Sequence, residues 1–423
     1  MPLKLAVIGS GPAGCYAVEQ LARLAPEAEI DVIDRLPTPY GLVRAGVAPD
    51  HQGTKSVERV LERALTRPNV AFHGNVEIGR DLDLDALRAL YDAVILAIGA
   101  PLDRCLGIPG EDLSGVHPSG AFTRWINGHP DDSDRAVRLD HARSVVVIGN
   151  GNVAIDVARV LAKTPEEMAR SDLAPFIEAA IARAPLAEIH IVGRRGPGET
   201  SFTAVELEEM ARLARAHPVV IDDAGGTDAL NPAALAILRR FATLPDPGKP
   251  VRIHFHFHLK PLRFEGEGRL ERGRFARQRF DGGGYAPTGE TVAIPADLAV
   301  TCIGYSCRGC GVLAPENGIF RNEDGRIEPG LYVVGWAKRG PTGTIPTNRT
   351  ESHAVAERLI AETAPGGKPG RAAFLALLRG RGITPVDFAG WQRVNTAEKT
   401  RAAAGRAREK LRSLPALLAA ARG

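Results

Sequence analysis

Two stretches of the chain share one pattern, in which a short apolar run leads into a glycine-rich turn and then into an amphipathic segment. Residues 5–14 read LAVIGSGPAG, and residues 144–154 read SVVVIGNGNVA. Apolar positions then recur at helical spacing over 15–24 and 155–163. A buried run that ends in glycines and opens into a helical pattern is typical of the first half of a βαβ unit. We therefore predict a strand, a tight turn and a helix in both places.

Each of these units has a later apolar run that also ends at a glycine, at residues 93–99 and 298–304. The second unit lies between the first unit and the C-terminal third of the chain. This order predicts an α/β fold with two Rossmann-like lobes, one inserted into the other. We expect the outer lobe to contain residues 1–104 and 306–423, the latter with C-terminal helices, and the inserted lobe to contain residues 105–305.

Other segments show simpler periodicities. Residues 251–282 alternate between apolar and polar positions, which predicts antiparallel strands. Helical spacing is present at residues 232–241, 372–378 and 397–414, and the last of these patterns is broken at Pro415.

The composition limits the class of protein. With 423 residues, of which 44% are hydrophobic and 24% charged, the chain has material for two or three packed domains and is neither disordered nor fibrous. No apolar run approaches the roughly 20 residues that cross a bilayer, so we expect no membrane association. A net charge of only +3 gives no general attraction to nucleic acid. Five scattered cysteines, and an N-terminus that enters a strand without room for a leader, predict a reducing, cytoplasmic location.

The first glycine-rich turn predicts a pyrophosphate site. In a G-x-G-x-x-G motif, Gly9 and Gly11 let the backbone turn tightly and approach a pyrophosphate at the helix N-terminus, and Gly14 lets the helix pack near the strand. The strand predicted at residues 29–33 ends in Asp34, 25 positions after Gly9, where a carboxylate accepts both hydroxyls of an adenosine ribose. The alternative is a phosphate-free βαβ turn, which fits less well with strand, spacing and acid occurring together.

The second turn has the form G-x-G-x-x-A, with Ala154 in the third place. Its next strand, predicted at residues 187–192, is followed by Arg194 and Arg195, where an NAD-binding unit carries its acid. A carboxylate at this point would repel a 2′-phosphate, whereas paired guanidinium groups bind one bidentately. We therefore expect the second site to prefer NADP over NAD. The alternative is that both arginines are solvated surface charges.

Three longer motifs extend the pattern beyond single turns: residues 36–51 (LPTPYGLVRAGVAPDH), 149–159 (GNGNVAIDVAR) and 333–343 (VVGWAKRGPTG). Together with the two turns they resemble the adrenodoxin-reductase-type ferredoxin–NADP reductases, which have a glutathione-reductase-like fold. The resemblance runs from residue 3 to about 415. It implies FAD in the outer lobe and NADP in the inserted lobe. It also implies hydride transfer between NADPH and FAD, and single-electron transfer between FAD and a ferredoxin-type iron–sulfur protein.

The resemblance also assigns cofactor contacts, motif by motif. Besides the glycines of the first turn, the expected FAD contacts are Ala13, Asp34, Leu42, Val76, Trp336, Gly343, Thr344 and Ile345. The expected NADP contacts are Asn150, Gly151, Asn152, Val153, Arg194, Arg195, Glu206 and Gly343. Three positions depart from the usual residues of the family: Asp34 replaces Glu, Tyr40 replaces Phe or Trp, and Pro346 replaces a small residue.

The resemblance further places His51 and Glu209 near the nicotinamide, where they would pass protons to the reduced flavin. A structural role is the alternative for both. The family's docking arginines lie in the inserted lobe, and Arg239 and Arg240, at the end of the helix predicted at 232–241, fit an acidic partner. The alternative here is chance, because adjacent arginines are common in a chain with 44 of them.

Three cysteines have the spacing of an iron–sulfur site. The pattern Cys302-x4-Cys307-x2-Cys310 copies three ligands of a plant-type [2Fe–2S] centre, but neither remaining cysteine clearly supplies the fourth. Ordinary thiols are favoured over redox or metal use. Because residues 36–65 contain no cysteine, a disulfide reductase is also disfavoured.

Three histidines alternate with two phenylalanines. This spacing puts the imidazoles of His254, His256 and His258 on one face of a strand, where two of them could share a metal. No carboxylate or cysteine pattern completes such a site. We therefore expect a solvated face opposite a phenylalanine-lined core, and no metal centre.

Two other functions stay open at this point. One is an NADPH-dependent flavin oxidoreductase that passes electrons to a small molecule or to oxygen. The other is a non-catalytic flavoprotein that senses NADP(H), against which the presence of His51, Glu209 and Trp336 argues.

Overall fold

The computed structural model describes residues 1–221 and 230–423. The strands of this part of the chain are β1 (Lys4–Ile8), β2 (Glu29–Ile33), β3 (Val70–His73), β4 (Ala93–Leu96), β5 (Leu102–Asp103), β6 (Val116–Pro118), β7 (Ser144–Ile148), β8 (Glu188–Val192), β9 (Ala216–Val220), β10 (Val251–His256), β11 (Leu259–Glu265), β12 (Arg272–Phe280), β13 (Tyr285–Pro295), β14 (Leu298–Thr301), β15 (Tyr305–Ser306), β16 (Arg326–Glu328) and β17 (Leu331–Val333). The helices are α1 (Pro12–Leu24), α2 (Leu42–Ala45), α3 (Gln52–Lys55), α4 (Glu58–Leu65), α5 (Leu84–Leu90), α6 (Ser119–Ile126), α7 (Asn152–Ala162), α8 (Pro165–Met168), α9 (Pro175–Arg183), α10 (Ala204–Glu209), α11 (Pro232–Ala242), α12 (Trp336–Arg339), α13 (Ile345–Glu362), α14 (Gly370–Gly380), α15 (Phe388–Arg401) and α16 (Leu414–Arg422). Within the two described ranges, no helix combines the length and apolar character needed to cross a bilayer.

The outer lobe is built on a six-stranded sheet with the order β16-β17-β4-β1-β2-β3. Neighbouring strands are parallel except for β16 and β17, and Val7 of β1 is aligned with Val32 and with Ile95. Helices α1, α13 and α15 cover one face, and α5 and α14 cover the other. Because both faces are buried, these strands are continuous apolar runs in the sequence.

The inserted lobe contains a second six-stranded sheet, with the order β6-β14-β7-β8-β10-β9 and all neighbours parallel. One face packs against α7, α9 and α11. The other face is partly covered by a three-stranded antiparallel sheet, β11-β12-β13. All strands of this second sheet lie in sequence between β4 and β17 of the first. The prediction of two Rossmann-like lobes, one inserted into the other, is confirmed.

The prediction for residues 251–282 is correct for β11 and β12 and wrong for β10. Strand β10 is parallel to both of its neighbours, β8 and β9. Its alternation arises because Ile253 and Phe255 are buried under the helices, whereas His254 lies on the opposite, partly open face. Alternation reports which face of a strand is buried, and it does not report the direction of the neighbouring strands.

The chain passes twice between the lobes, and the two passages pair with each other. Strands β5 and β15 form an antiparallel ribbon in which Tyr305 is opposite Asp103. The Asp103 carboxylate accepts hydrogen bonds from the backbone N–H groups of Gly120 and Ala121 at 2.6 and 3.2 Å. The ribbon is thereby fixed to the start of α6 in the inserted lobe.

The C-terminal region differs from the prediction. Helix α15 ends at Arg401, and α16 begins at Leu414 with Pro415 in its first turn, where proline is well tolerated. The helix predicted over 397–414 is therefore correct only for residues 397–401, and the break predicted at Pro415 is wrong. Residues 402–413 form no helix, and we name this segment the C-terminal strap.

Basic side chains of the C-terminal strap contact both lobes. Arg408 pairs with Glu58 of the outer lobe at 2.7 Å, and Lys410 pairs with Asp172 of the inserted lobe at 2.8 Å. Asp172 also pairs with Lys55 of the outer lobe at 2.8 Å. All three members of this triad are buried. The strap and its triad therefore bind the two lobes to each other.

Candidate functional site

The first glycine-rich turn lies at the carboxyl end of β1. Gly9 has a φ of +106°, and a Cβ atom there would lie 2.4 Å from the carbonyl oxygen of Ala97. A Cβ atom at Gly14 would lie 2.0 Å from the carbonyl oxygen of Gly9. Helix α1 follows with Gly11 as its N-cap, no capping side chain and no acidic residue in its first turn. Its N-terminal N–H groups are therefore available to an anion.

Asp34 stands beside this turn and is held by three hydrogen bonds. One carboxylate oxygen accepts from Ser10 Oγ and N at 2.5 and 2.9 Å, and the other accepts from Leu36 N at 3.0 Å. The backbone N–H of Val76 donates to the Asp34 carbonyl at 2.9 Å. The structure thus brings Asp34 and Val76 together at the turn, with the carboxylate in a fixed orientation.

The third long motif packs on the same turn. A Cβ atom at Gly335 would lie 2.6 Å from Cβ of Ala13, so Gly335 brings the chain against α1. Trp336 follows, and its ring stacks on Tyr305 with centroids 5.9 Å apart. Its indole N–H donates to the carbonyl of Thr342 at 3.2 Å.

The chain then leads from Thr342 into α13, which begins at Ile345. Pro346 lies in the first turn of α13, so this departure from the family leaves a regular helix start. Gly343, Thr344 and, in the first long motif, Leu42 are exposed. The structure therefore brings Ala13, Val76 and the start of the Trp336 segment to the first turn, and the contacts of the other expected FAD residues stay predictions.

The second glycine-rich turn has the same arrangement in the inserted lobe. Gly151 is the N-cap of α7, which has neither a capping side chain nor an acidic residue in its first turn. Asn152 Oδ1 accepts from Thr203 N at 2.8 Å. Asn150 lies against Gly193, and its Oδ1 is buried without a hydrogen-bond partner. Val153 is half-buried in the first turn of the helix.

Arg194 and Arg195 lie in the loop after β8 and are exposed. The antiparallel sheet holds this loop in place: Gly196 N donates to Tyr285 Oη at 2.9 Å, and His258 N donates to the Arg195 carbonyl at 3.1 Å. The two guanidinium groups thus extend into solvent from an anchored backbone, beside the second turn.

His51 and Glu209, both expected near the nicotinamide, are brought together across the two lobes. His51 precedes α3 in the outer lobe, and Glu209 ends α10 in the inserted lobe. His51 Nε2 lies 3.5 Å from Glu209 Oε2 and 3.5 Å from Glu206 Oε2. His51 Nδ1 lies 3.9 Å from Asp156 Oδ1. Glu206, expected as an NADP contact, therefore faces His51.

Arg159, which the sequence analysis did not single out, lies beneath this cluster with 0% of its side chain exposed. It pairs with Asp50 at 2.8 Å, Asp156 at 2.7 Å, Glu206 at 3.1 Å and Glu209 at 3.5 Å. A signal was present in the sequence, because Asp156 and Arg159 are an i,i+3 ion pair on an otherwise apolar helix.

The carboxylates set the protonation of this cluster. Burial lowers the pKa of His51, but the contact with Glu209 and the charges of Asp50 and Asp156 outweigh burial, so the pKa is raised. The same contact lowers the pKa of Glu209. Burial raises the pKa of Glu206 and of Asp156. The surrounding carboxylates thus favour the imidazolium form of His51.

The cluster also contains ligand types suited to a metal, in two sets: Asp50, His51 and Glu209, and His51, Asp156 and Glu206. Arg159 pairs with all four of these carboxylates, and Lys163 also pairs with Asp50 at 2.6 Å. A divalent cation would have to compete with both side chains.

The cysteines are free thiols. Burial raises the pKa of Cys307 and of Cys310 to about 11 and also raises the pKa of Cys302. Cys307 donates to the carbonyl of Gly99 at 3.2 Å. Buried thiols with raised pKa values are poor nucleophiles and poor partners in disulfide exchange.

The solvated histidine face is a wrong prediction. His256 is buried, and His190 Nδ1 lies 3.0 Å from its Nε2. The His254 ring stacks on His190 with centroids 4.8 Å apart. His258 has a φ of +58° and lies beyond the end of β10. The antiparallel sheet, which the pattern of β10 alone does not predict, partly covers this face.

Comparison with known proteins connects this geometry to a family. The model of the pyridine nucleotide-disulphide oxidoreductase family matches residues 3–188. The chain is 37% identical to the human mitochondrial NADPH:adrenodoxin oxidoreductase, over 96% of this chain and 90% of that protein. It is also 37% identical to a probable ferredoxin/ferredoxin–NADP reductase of Mycobacterium tuberculosis, over 99% of this chain and 76% of that protein.

Solved structures lead to the same family. FprA of Mycobacterium tuberculosis, in complex with NADPH, superposes with a TM-score of 0.93 at 36% identity over all of both chains. A thioredoxin reductase of T. acidophilum, at 13% identity, has a TM-score of 0.53 over 85% of this chain and 98% of that one, which bears on the fold alone. Identity over nearly the full length, with both dinucleotide turns and the long motifs in place, shows that the chain belongs to the adrenodoxin-reductase-type ferredoxin–NADP reductases.

Proposed function

We propose that this protein transfers electrons between NADPH and a ferredoxin-type iron–sulfur protein through bound FAD. One observation carries the proposal. Each lobe presents an uncapped helix N-terminus behind a glycine-rich turn, and the lobes meet where His51 contacts Glu209. When bound, FAD accepts two electrons as a hydride and releases them singly to a one-electron carrier. The chain itself would bind and orient both cofactors and hold a proton beside them.

The outer lobe fits FAD. The first turn and the start of α1 would hold the pyrophosphate, and the carboxylate of Asp34 would accept from the adenosine ribose. Because Ser10 and Leu36 already donate to Asp34, its remaining lone pairs serve the ribose. Further contacts are expected from Ala13, Leu42, Val76, Trp336, Gly343, Thr344 and Ile345.

The inserted lobe fits NADP. The backbone at Asn150, Gly151, Asn152 and Val153 would bind the coenzyme pyrophosphate at the start of α7. The unpartnered Oδ1 of Asn150 supports this assignment, because a buried amide oxygen without a donor is costly unless a ligand or water supplies one. The exposed guanidinium groups of Arg194 and Arg195 would bind the 2′-phosphate.

His51 and Glu209 are proposed to hold a proton at the boundary of the lobes. The 3.5 Å contact is long for a hydrogen bond, and such contacts often shorten when the ligands of a site are bound. Glu206 shares the same imidazole nitrogen at the same distance, and we propose that it acts with this pair beside the coenzyme.

The partner is proposed to dock near the end of α11. Arg239 and Arg240 are exposed there, and Arg240 pairs with Glu208 of α10 at 2.5 Å. Glu208 directly precedes Glu209, so the residue that pairs with Arg240 is the chain neighbour of the residue that contacts His51. An acidic ferredoxin would have to compete with Glu208 for Arg240. Because both arginines are exposed, salt would screen their attraction to the ferredoxin.

Two further expectations stay proposals. The lobe boundaries at 104/105 and 305/306 are supported by the ribbon of β5 and β15, and proteolysis at each passage would test them. A cytoplasmic location would be tested by cell fractionation.

The function is tested on the purified protein. We expect a yellow protein whose visible absorption bleaches on anaerobic mixing with NADPH. We further expect NADPH to reduce cytochrome c only when a [2Fe–2S] ferredoxin is added. A colourless protein that takes up no FAD would refute the proposal, and equal cytochrome c reduction without ferredoxin would favour a small-molecule acceptor.

A further inference from the structure

Arg159 joins the helix that begins at the second turn to the loop that carries His51. Its Nε and Nη2 donate to the two carboxylate oxygens of Asp50 at 2.8 and 3.1 Å. Asp50 immediately precedes His51 in the outer lobe, whereas Arg159 lies on α7 of the inserted lobe. The planar guanidinium fixes a carboxylate in both distance and orientation, so this pair sets the position of the His51 backbone.

The same guanidinium contacts the two acceptors of the His51 ring. Nη1 donates to Glu206 Oε2 at 3.1 Å, and Nε lies 3.5 Å from Glu209 Oε2. These are the two oxygen atoms that lie 3.5 Å from His51 Nε2. Arg159 and His51 therefore share both glutamates, and removing the guanidinium would leave both carboxylates to the imidazole alone.

Arg159 also balances the charge around the imidazole. The charged groups of the cluster are Asp50, Asp156, Glu206 and Glu209 on one side and Arg159 and Lys163 on the other. The positive charge of Arg159 lowers the pKa of His51 and opposes the carboxylates. Without it, the imidazolium form of His51 would be stabilised further.

We propose that Arg159 is the positioning residue that fixes the place of His51 and sets its protonation state. This inference rests on the proposed function and deepens it, because it assigns the control of the proton-holding pair to a buried residue of the coenzyme-binding helix. Arg159 has 0% exposure and touches no solvent, so its action runs through the four carboxylates.

Two substitutions separate charge from geometry. Arg159→Lys keeps the positive charge but loses the planar fork, and Arg159→Met loses both. A matched control is Arg183→Met, which removes an exposed arginine at the end of α9, outside the cluster.

Two readouts are applied to the FAD-loaded protein. The first is the NMR titration of the His51 ring, assigned by comparison with His51→Gln. We expect Arg159→Met to raise the His51 pKa above the wild-type value, and Arg159→Lys to leave it nearly unchanged. The second is stopped-flow flavin reduction by NADPH. We expect the rate constant of flavin reduction to fall at least about tenfold in both variants, as for a misplaced acid–base group. The NADPH concentration that gives half of the maximal rate should change less. The Arg183→Met control should match wild type in both.

The outcomes are distinguishable. A wild-type rate of flavin reduction in Arg159→Lys would overturn the positioning role, and this variant decides the question even if Arg159→Met does not fold. An unchanged His51 titration in a folded Arg159→Met protein would overturn the control of protonation. If NADPH does not reduce the wild-type flavin, the proposed function fails, whereas the His51 titration still tests Arg159.

Discussion

The coenzyme preference offers a direct test of the second site. Replacing Arg194 and Arg195 together with alanine removes the two guanidinium groups proposed to bind the 2′-phosphate. A hydrogen bond to a charged group contributes about 1.5–3 kcal/mol. Both arginines are exposed, so the lower figure applies to each. The pair therefore contributes about 3 kcal/mol, which corresponds to roughly a 100-fold loss in kcat/KM for NADPH.

The assay compares NADPH and NADH as donors to ferricyanide under steady-state conditions. NADH has no 2′-phosphate, so we expect its kcat/KM to change by less than about threefold. Arg183→Ala, which removes an exposed arginine elsewhere on the same lobe, serves as the control and should leave both coenzymes unaffected. Equal losses of kcat/KM for NADPH and NADH would refute the assignment, because they would mean that the arginines support the loop and do not bind the 2′-phosphate.

Three further outcomes are expected. Glu209→Gln removes the contact that raises the pKa of His51, so the alkaline limb of the flavin-reduction profile should move to lower pH while FAD stays bound; an unmoved limb would contradict the pairing. Burial lowers the pKa of Lys410 to about 7, so between pH 7 and 10 the folded protein binds fewer protons than the unfolded chain. The free energy of unfolding should therefore rise by about 1 kcal/mol per pH unit in this range, and urea titrations of Lys410→Met should lose that slope. Replacing Arg239 and Arg240 with Glu should raise KM for ferredoxin about tenfold at low salt and leave ferricyanide activity intact. It should also flatten the salt dependence of that KM, which arises because the Debye length falls from about 10 Å at 0.1 M to about 3 Å at 1 M salt; wild-type ferredoxin kinetics would place the docking surface elsewhere.

Local sequence was sufficient for the parts of the fold that depend on neighbouring residues. Gly9 and Gly14 are required by contacts within one strand–turn–helix unit, so their spacing predicted that unit. The position of Asp34 at the end of β2 follows from the same unit. The order of the two units predicted the insertion, because each sheet is assembled from strands on either side of its own turn.

Long-range contacts were less accessible. The pair of Arg159 and Asp50 spans 109 positions, and no spacing rule connects them. The direction of β10 depends on β8 and β9, which its own alternation does not encode. The C-terminal strap forms no helix, and the periodicity that begins in α15 wrongly predicted that the helix continues through it.

The C-terminal strap has a consequence for how the molecule is made. The inserted lobe has its described strands once residue 301 is synthesised, whereas the sheet of the outer lobe lacks β16 and β17 until residue 333. Lys410 follows both sheets in the chain and reaches Asp172 only after the C-terminal strap has been synthesised. Because domains fold as units during synthesis, the inserted lobe can fold before the lobe that surrounds it is complete. The C-terminal strap thus joins two bodies that are already largely formed.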